Sequence, residues 1–153
     1  MQASPLKLFE PASGVTRTEL MVATILVTAL TLFAASTVRA FSERARITQA
    51  IGTGKVIQTA MTSVIATSAH AAYPVSIATH RDLVTLVNEH GAALDPMESA
   101  LGVTLQAYTP VDTDGDSVYD DYTLRLTVIG VSQKRRGWCI TVRPSAVEVC
   151  PPK

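Results

Sequence analysis

"GVTRTELMVATILVTALTLFAASTV", residues 14–38, decides the architecture of this chain. The nineteen residues from Leu20 to Val38 carry no charge. At about 1.5 Å of rise per residue, a helix of that length comes close to the roughly 30 Å hydrocarbon core of a bilayer. It is the single membrane-length segment in the sequence, and one carboxylate, Glu19, stands at its mouth. An ionised group is costly beside lipid, so Glu19 calls for a partner.

The segment is not ordered like a secretory signal, which has a basic start, an apolar stretch of 7–15 residues and then a small-residue cleavage site. Here a polar stretch, "MQASPLKLFEPASG", comes first and the apolar run is longer. No A-x-A-like site followed by a polar mature start ends it. Val38 passes into "RAFSERARITQA", which continues as helix. The residues read as a membrane anchor that is retained.

The other 115 or so residues limit the alternatives. A chain of 153 residues supports about one ordinary domain. Thirteen Lys and Arg balance thirteen Asp and Glu, so no bulk field favours nucleic acid or an anionic membrane. The two cysteines, Cys139 and Cys150, lie beyond a membrane-targeting segment, where an even pair reads as a disulfide in an oxidising compartment. Closing that loop contributes about 3 kcal/mol in the chain-entropy model. Two buried free thiols are the alternative.

The N-terminal arrangement resembles the type IV pilin and pseudopilin family. That family carries a short leader ending in Gly, cut on the cytoplasmic side of the apolar run, with Glu at the fifth position after the cut. In "VTRTELMV", Gly14 then ends a leader of residues 1–14, Val15 becomes the new N-terminus, Thr16 is second and Glu19 fifth. The resemblance implies cleavage by the prepilin peptidase and N-methylation of Val15. It also implies assembly through Glu19, which meets the Val15 amine of a neighbouring copy. Pairing two charges that would each be costly alone sets axial register. Three departures stand out: Val15 replaces the usual Phe, Arg17 sits where the family is apolar, and the leader's Lys7 is offset by Glu10.

No Pro or Gly interrupts residues 15–51, so one long helix is expected. Residues 15–40 form its hydrophobic transmembrane and polymerisation half. Beyond them Ile47, Ile51, Ile57, Met61, Val64 and Ile65 continue an apolar stripe, with Glu43, Arg44, Arg46, Gln49 and Lys55 on the opposite face. "GTGK" (52–55) is not a phosphate loop, because Gln49 stands where the first glycine belongs and Val56 follows the lysine. Its two glycines are expected to soften the helix, at about 1 kcal/mol each.

After His70 the pattern changes. "THRDLVTLVNEHG" predicts a short helix with Thr79 as N-cap and Gly91 as stop. "DPMESALG" predicts another, with Asp95 as cap, Pro96 first, Glu98 completing a capping box and Gly102 ending it. Alternation over 103–108, 122–131, 138–142 and 146–150 predicts an antiparallel meander. The fold class is therefore α+β: a long N-terminal helix packed on a small antiparallel sheet, with residues 41–153 forming the amphipathic half-helix and a globular head. This agrees with the pilin-like architecture, whose C-terminal loop also carries a disulfide.

Two loops are candidate binding sites. "DTDGDSVYDD" (112–121) places Asp112, Asp114, Asp116 and Asp120 at the spacing of a calcium loop, although Ser117 and Thr123 stand where an EF-hand has Gly and Glu. Bound calcium would stiffen the loop; a solvated acidic turn is the other reading. "QKRRGWC" offers Lys134, Arg135, Arg136 and Trp138 for DNA or another surface, by charge and stacking, against a charged hairpin turn with a core Trp. His70, His80 and His90 have no ligand-like spacing with the cysteines. No nucleophile–base motif appears, so catalysis is not expected.

The leading reading is a structural subunit of a type IV pilus-like filament, first held by one span in the cytoplasmic (inner) membrane and then displayed on a surface filament. Its expected partners are other copies or related pilins, the prepilin peptidase and the pilus or secretion assembly machinery. A minor or competence pilin that binds DNA or a surface, and a type II secretion pseudopilin, are the alternatives.

Overall fold

Uninterrupted helix formers extend the apolar run without a break. In a computed structural model, which describes residues 16–153, α1 spans Arg17–Thr67, 51 residues. The expected cleavage pair, Gly14 and Val15, lies outside the described residues, as does the rest of the leader. The chain divides into two compact units, Met1–Ala40 and Phe41–Lys153.

In the first unit, every described side chain from Thr16 to Ala40 is exposed. Leu20 is 62% and Phe33 72% accessible. Among the described residues, α1 is the helix long and apolar enough to cross a membrane. Its threonines do not spoil that character. The hydroxyls of Thr24 and Thr28 donate to the carbonyls of Leu20 and Thr24 at 2.7 Å, that of Thr31 donates to Val27, and that of Thr37 to Ala34 at 2.9 Å. Each of these four hydroxyls is thus satisfied within the helix, as an apolar solvent requires.

The second unit contains the remainder of α1, two short helices and a sheet. α2 is His80–Glu89 and α3 is Glu98–Leu101; β1 is Val103–Val111, β2 Asp121–Val128, β3 Cys139–Val142 and β4 Val147–Val149. The sheet is antiparallel throughout with order β1-β2-β3-β4, the meander that strand alternation predicts. β2 alternates cleanly, burying Tyr122, Leu124, Leu126 and Val128. Ile57, Met61 and Val64 of α1 are buried with them, and Ile47, Ile51 and Ile65 are half-buried at the margin. The apolar stripe therefore packs on its own sheet. The opposite face stays largely exposed, and three of its side chains find partners across the head. Glu43 pairs with Arg135, Arg46 donates to the Gly130 carbonyl at 3.3 Å and Gln49 to the Ala100 carbonyl at 3.0 Å.

α2 begins as expected. Thr79 accepts from the Asp82 amide at 3.1 Å while Asp82 accepts from the Thr79 amide at 3.0 Å, a reciprocal capping box. α3 departs from expectation. Asp95 accepts from the Met97 amide at 2.8 Å in a local turn, so Met97 becomes the N-cap, without a side-chain cap, and no box forms at Glu98. Gly102 does end α3, in the left-handed conformation with φ 70°.

Strand limits also shift. β1 runs on to Val111 through Pro110, which an edge strand tolerates because its missing N–H disrupts no inner ladder. β2 stops at Val128, where Gly130 (φ 78°) turns the chain. The glycine pair lies within α1. The helix continues through both, and Gly54 is a packing residue: a Cβ there would meet Ile140 Cδ1 at 2.9 Å and Val147 Cγ1 at 3.1 Å. Gly52 faces open space.

Candidate functional site

The N-terminus of α1 carries a device that the lone-carboxylate reading of Glu19 passed over. Thr16 donates both its amide and its hydroxyl to Glu19 Oε2 at 2.8 Å, and the Glu19 amide donates to Thr16 Oγ1 at 3.3 Å. Thr16-x-x-Glu19 is a capping box, readable in the sequence as T-x-x-E immediately before an apolar run. A carboxylate in the first turn also meets the positive end of the helix dipole. Among the described residues these bonds fall on Oε2, and Oε1 accepts none.

The acidic loop joins β1 to β2. Asp112, Asp114 and Asp116 each bring a carboxylate oxygen within 4.8 Å of the others. Asp120, the fourth expected ligand, turns away and accepts from the amide and hydroxyl of Thr113. Asp112 accepts from the amides of Gly115 at 2.7 Å and Ser117 at 2.9 Å, and the Gly115 contact leads in holding its carboxyl below the usual carboxylate range. Hydrogen bonds from the Thr113 hydroxyl and amide lower Asp120 likewise. Asp114 moves the other way. The Asp116 amide lowers it, but the Asp116 charge, desolvation and Asp120 together outweigh that contact. Three gathered carboxylates supply half or fewer of the six to eight oxygens calcium takes, so carbonyls or water would complete the shell.

Beneath this loop, Tyr73 packs edge-on to Tyr122 at 4.6 Å, and Tyr108 stacks on it at 6.2 Å. Tyr122 is fully buried, its hydroxyl finds no partner among the described residues, and desolvation pushes the phenol well up. The Tyr73 amide donates to the Tyr119 carbonyl at 2.8 Å, tying the loop's foot to the segment after α1.

The basic turn between β2 and β3 is split by the structure. Lys134, Arg135 and Arg136 are exposed, and Arg135 forms a 2.5 Å ion pair with Glu43. Trp138 is only 2% accessible, in line with the reading of a charged hairpin turn with a core Trp, and is withdrawn from a stacking role beside the three cations. Its Nε1 donates to the Pro151 carbonyl at 2.8 Å, and Lys153 Nζ lies 5.0 Å from the ring centroid. Backbone approach explains the burial: at Gly137 (φ 88°) a Cβ would meet Ile47 Cδ1 at 2.8 Å. Cys139 and Cys150 form the disulfide, joining the start of β3 to the residue after β4.

The histidines are not gathered. His70 is exposed, His90 bonds the Leu86 carbonyl at 2.8 Å, and both ring nitrogens of His80 are buried without a hydrogen bond among the described residues. No family model, curated protein or solved structure matches the chain.

Proposed function

We propose that the protein is the structural subunit of a type IV pilus-like filament, processed by a prepilin peptidase between Gly14 and Val15 and polymerised through its N-terminal helix. The observation that carries this reading is the exposed, charge-free run Leu20–Val38, headed by a capped carboxylate, Glu19. Such a surface must be covered by lipid or by other copies. Before assembly the run spans the cytoplasmic membrane once; afterwards the same helices pack together. Glu19 Oε1 then receives the methylated Val15 amine of a neighbour while Oε2 keeps its bonds to Thr16. The disulfide-closed C-terminus favours a pilin over a type II secretion pseudopilin, and the burial of Trp138 weighs against a DNA-binding competence pilin.

Mass spectrometry of filaments sheared from cells tests this reading. The expected result is an abundant chain beginning at N-methylated Val15. A chain that stays in the membrane fraction and never enters sheared material identifies a monomeric anchor and overturns the proposal.

A further inference from the structure

The meander separates two loops of opposite charge. The β1–β2 loop carries Asp112, Asp114, Asp116 and Asp120, with Asp121 at its foot; the β2–β3 turn carries Lys134, Arg135 and Arg136. They lie at opposite ends of β2, whose eight residues at about 3.3 Å each place them roughly 25 Å apart. That exceeds the screening length of about 8 Å at physiological salt, so the two ends do not neutralise one another.

Neighbouring charges do not cancel either end. At the basic end Glu43 is taken by Arg135, Arg46 adds a cation at Gly130, and Lys153 adds another above Trp138, with Glu98 of α3 in opposition. Lys134 and Arg136 form no ion pair among the described residues. At the acidic end Arg143, in the turn between β3 and β4, and Arg125, midway along β2, are the opposing cations against five aspartates.

We propose that the partner of each loop is the other loop on a second copy of this chain: the acidic loop of one head docks on the basic turn of the next. Every copy carries both halves at opposite ends, so the end-to-end contact is head-to-tail and can repeat from copy to copy. Exposed charges form such a contact weakly and with strong salt dependence. It is effective when another interaction already holds the copies at high local concentration. The inference rests on the reading of the chain as a self-associating subunit and adds a contact carried by the head alone.

The test uses the full-length chain in phosphatidylcholine vesicles, with Ser117→Cys and Gln133→Cys introduced and the native disulfide intact. A thiol-specific cross-linker then reports loop-to-turn contact between copies. Asp114→Lys with Asp116→Lys leaves Asp112 and Asp120 holding the loop; Lys134→Glu with Arg136→Glu leaves the Arg135–Glu43 pair. Either double reversal alone should cut the cross-link about tenfold, and mixing the two reversed chains should restore it. Restoration also shows that both reversed chains are folded. An undiminished cross-link in either reversed chain, or no recovery on mixing, overturns the contact. Loss of duplex DNA retention with an unchanged cross-link overturns it too, assigning the turn to nucleic acid. Co-purification of two differently tagged copies that both carry Lys134→Glu with Arg136→Glu, and so lack the head contact, reports helix association separately: its absence, with the parent cross-link intact, removes the helix reading and leaves the head contact standing.

Discussion

Thr16 and Glu19 close a reciprocal hydrogen-bonded box at the start of α1, with the Thr16 amide and hydroxyl both 2.8 Å from Glu19 Oε2. Glu19 therefore has a local task, fixing the first turn of the apolar helix, beside the assembly role proposed for it. The two tasks separate by substitution. Glu19→Gln keeps an acceptor for the Thr16 amide and removes the charge, whereas Thr16→Ala keeps the charge and removes the cap. We expect Glu19→Gln to retain normal amide protection over the first turn while lowering filament yield more than about tenfold, since an unpaired amine is left among apolar helices. Thr16→Ala should lose first-turn protection and reduce yield less. Hydrogen exchange and sheared-filament yield measure the two effects. Wild-type assembly by Glu19→Gln would remove the charge from the account.

The two glycines of α1 make opposite predictions. Gly52 faces open space, so Gly52→Ala should stabilise the head by about 1 kcal/mol through helix propensity. Gly54 lies against Ile140, Val142 and Val147, and Gly54→Val should destabilise by about 1–3 kcal/mol through overpacking against the sheet. Denaturant unfolding of the two variants gives the comparison. If both stabilise, the close approach of α1 to β3 and β4 is wrong.

These glycines also show where sequence reading reaches and where it stops. Periodicity and turn chemistry located every element of the head, because strand alternation, the Thr79 cap and the Gly102 stop are encoded within a few residues. The Thr16–Glu19 box was equally local and was overlooked only because Glu19 already had a long-range explanation. Gly54 was not legible: that it packs depends on β3 and β4, some 85–95 residues away in sequence. The partners of Arg46, Gln49 and Glu43 were not legible for the same reason, being Gly130, Ala100 and Arg135. Among the candidate sites, spacing named four aspartates, of which the fold gathers Asp112, Asp114 and Asp116. The burial of Trp138 depends on a C-terminal segment whose pairing only the fold defines.

The disulfide and Trp138 form one small structural unit, and the chain's single tryptophan reports on it. The Gly137 amide donates to the Cys150 carbonyl at 3.0 Å and the Cys150 amide to the Cys139 carbonyl at 2.9 Å, so the bridge and the ladder hold the same backbone. Replacing both cysteines by Ala should cost about 2–4 kcal/mol by the loop-entropy model. The Trp138 emission should shift to the red at a lower denaturant concentration than in the parent chain. Unchanged midpoints would show that β4 and the Pro151 contact hold the C-terminus without the bridge.

The acidic loop carries a pH dependence with two signs. Asp112 and Asp120 are held below the usual carboxylate range by the Gly115 amide and the Thr113 hydroxyl respectively, so their folded forms favour the charge. Their contribution to stability is present above the unfolded carboxylate pKa of about 3.9 and is lost as pH falls through their lower folded values. Asp114 is raised: the Asp116 amide lowers it, but the Asp116 charge, desolvation and the Asp120 charge together outweigh that contact. Its ionisation opposes folding above the unfolded value, and protonating or neutralising it relieves the repulsion. At neutral pH in the presence of a chelator, Asp112→Asn should therefore lower the thermal midpoint and Asp114→Asn should raise it slightly. Added calcium separates repulsion from ligation. If the trio binds the ion, calcium stabilises the parent chain and the advantage of Asp114→Asn reverses, because one charged ligand is gone. If the trio is a solvated turn, the order of midpoints is the same with and without calcium, and thermal melts of the three chains under both conditions decide between these outcomes.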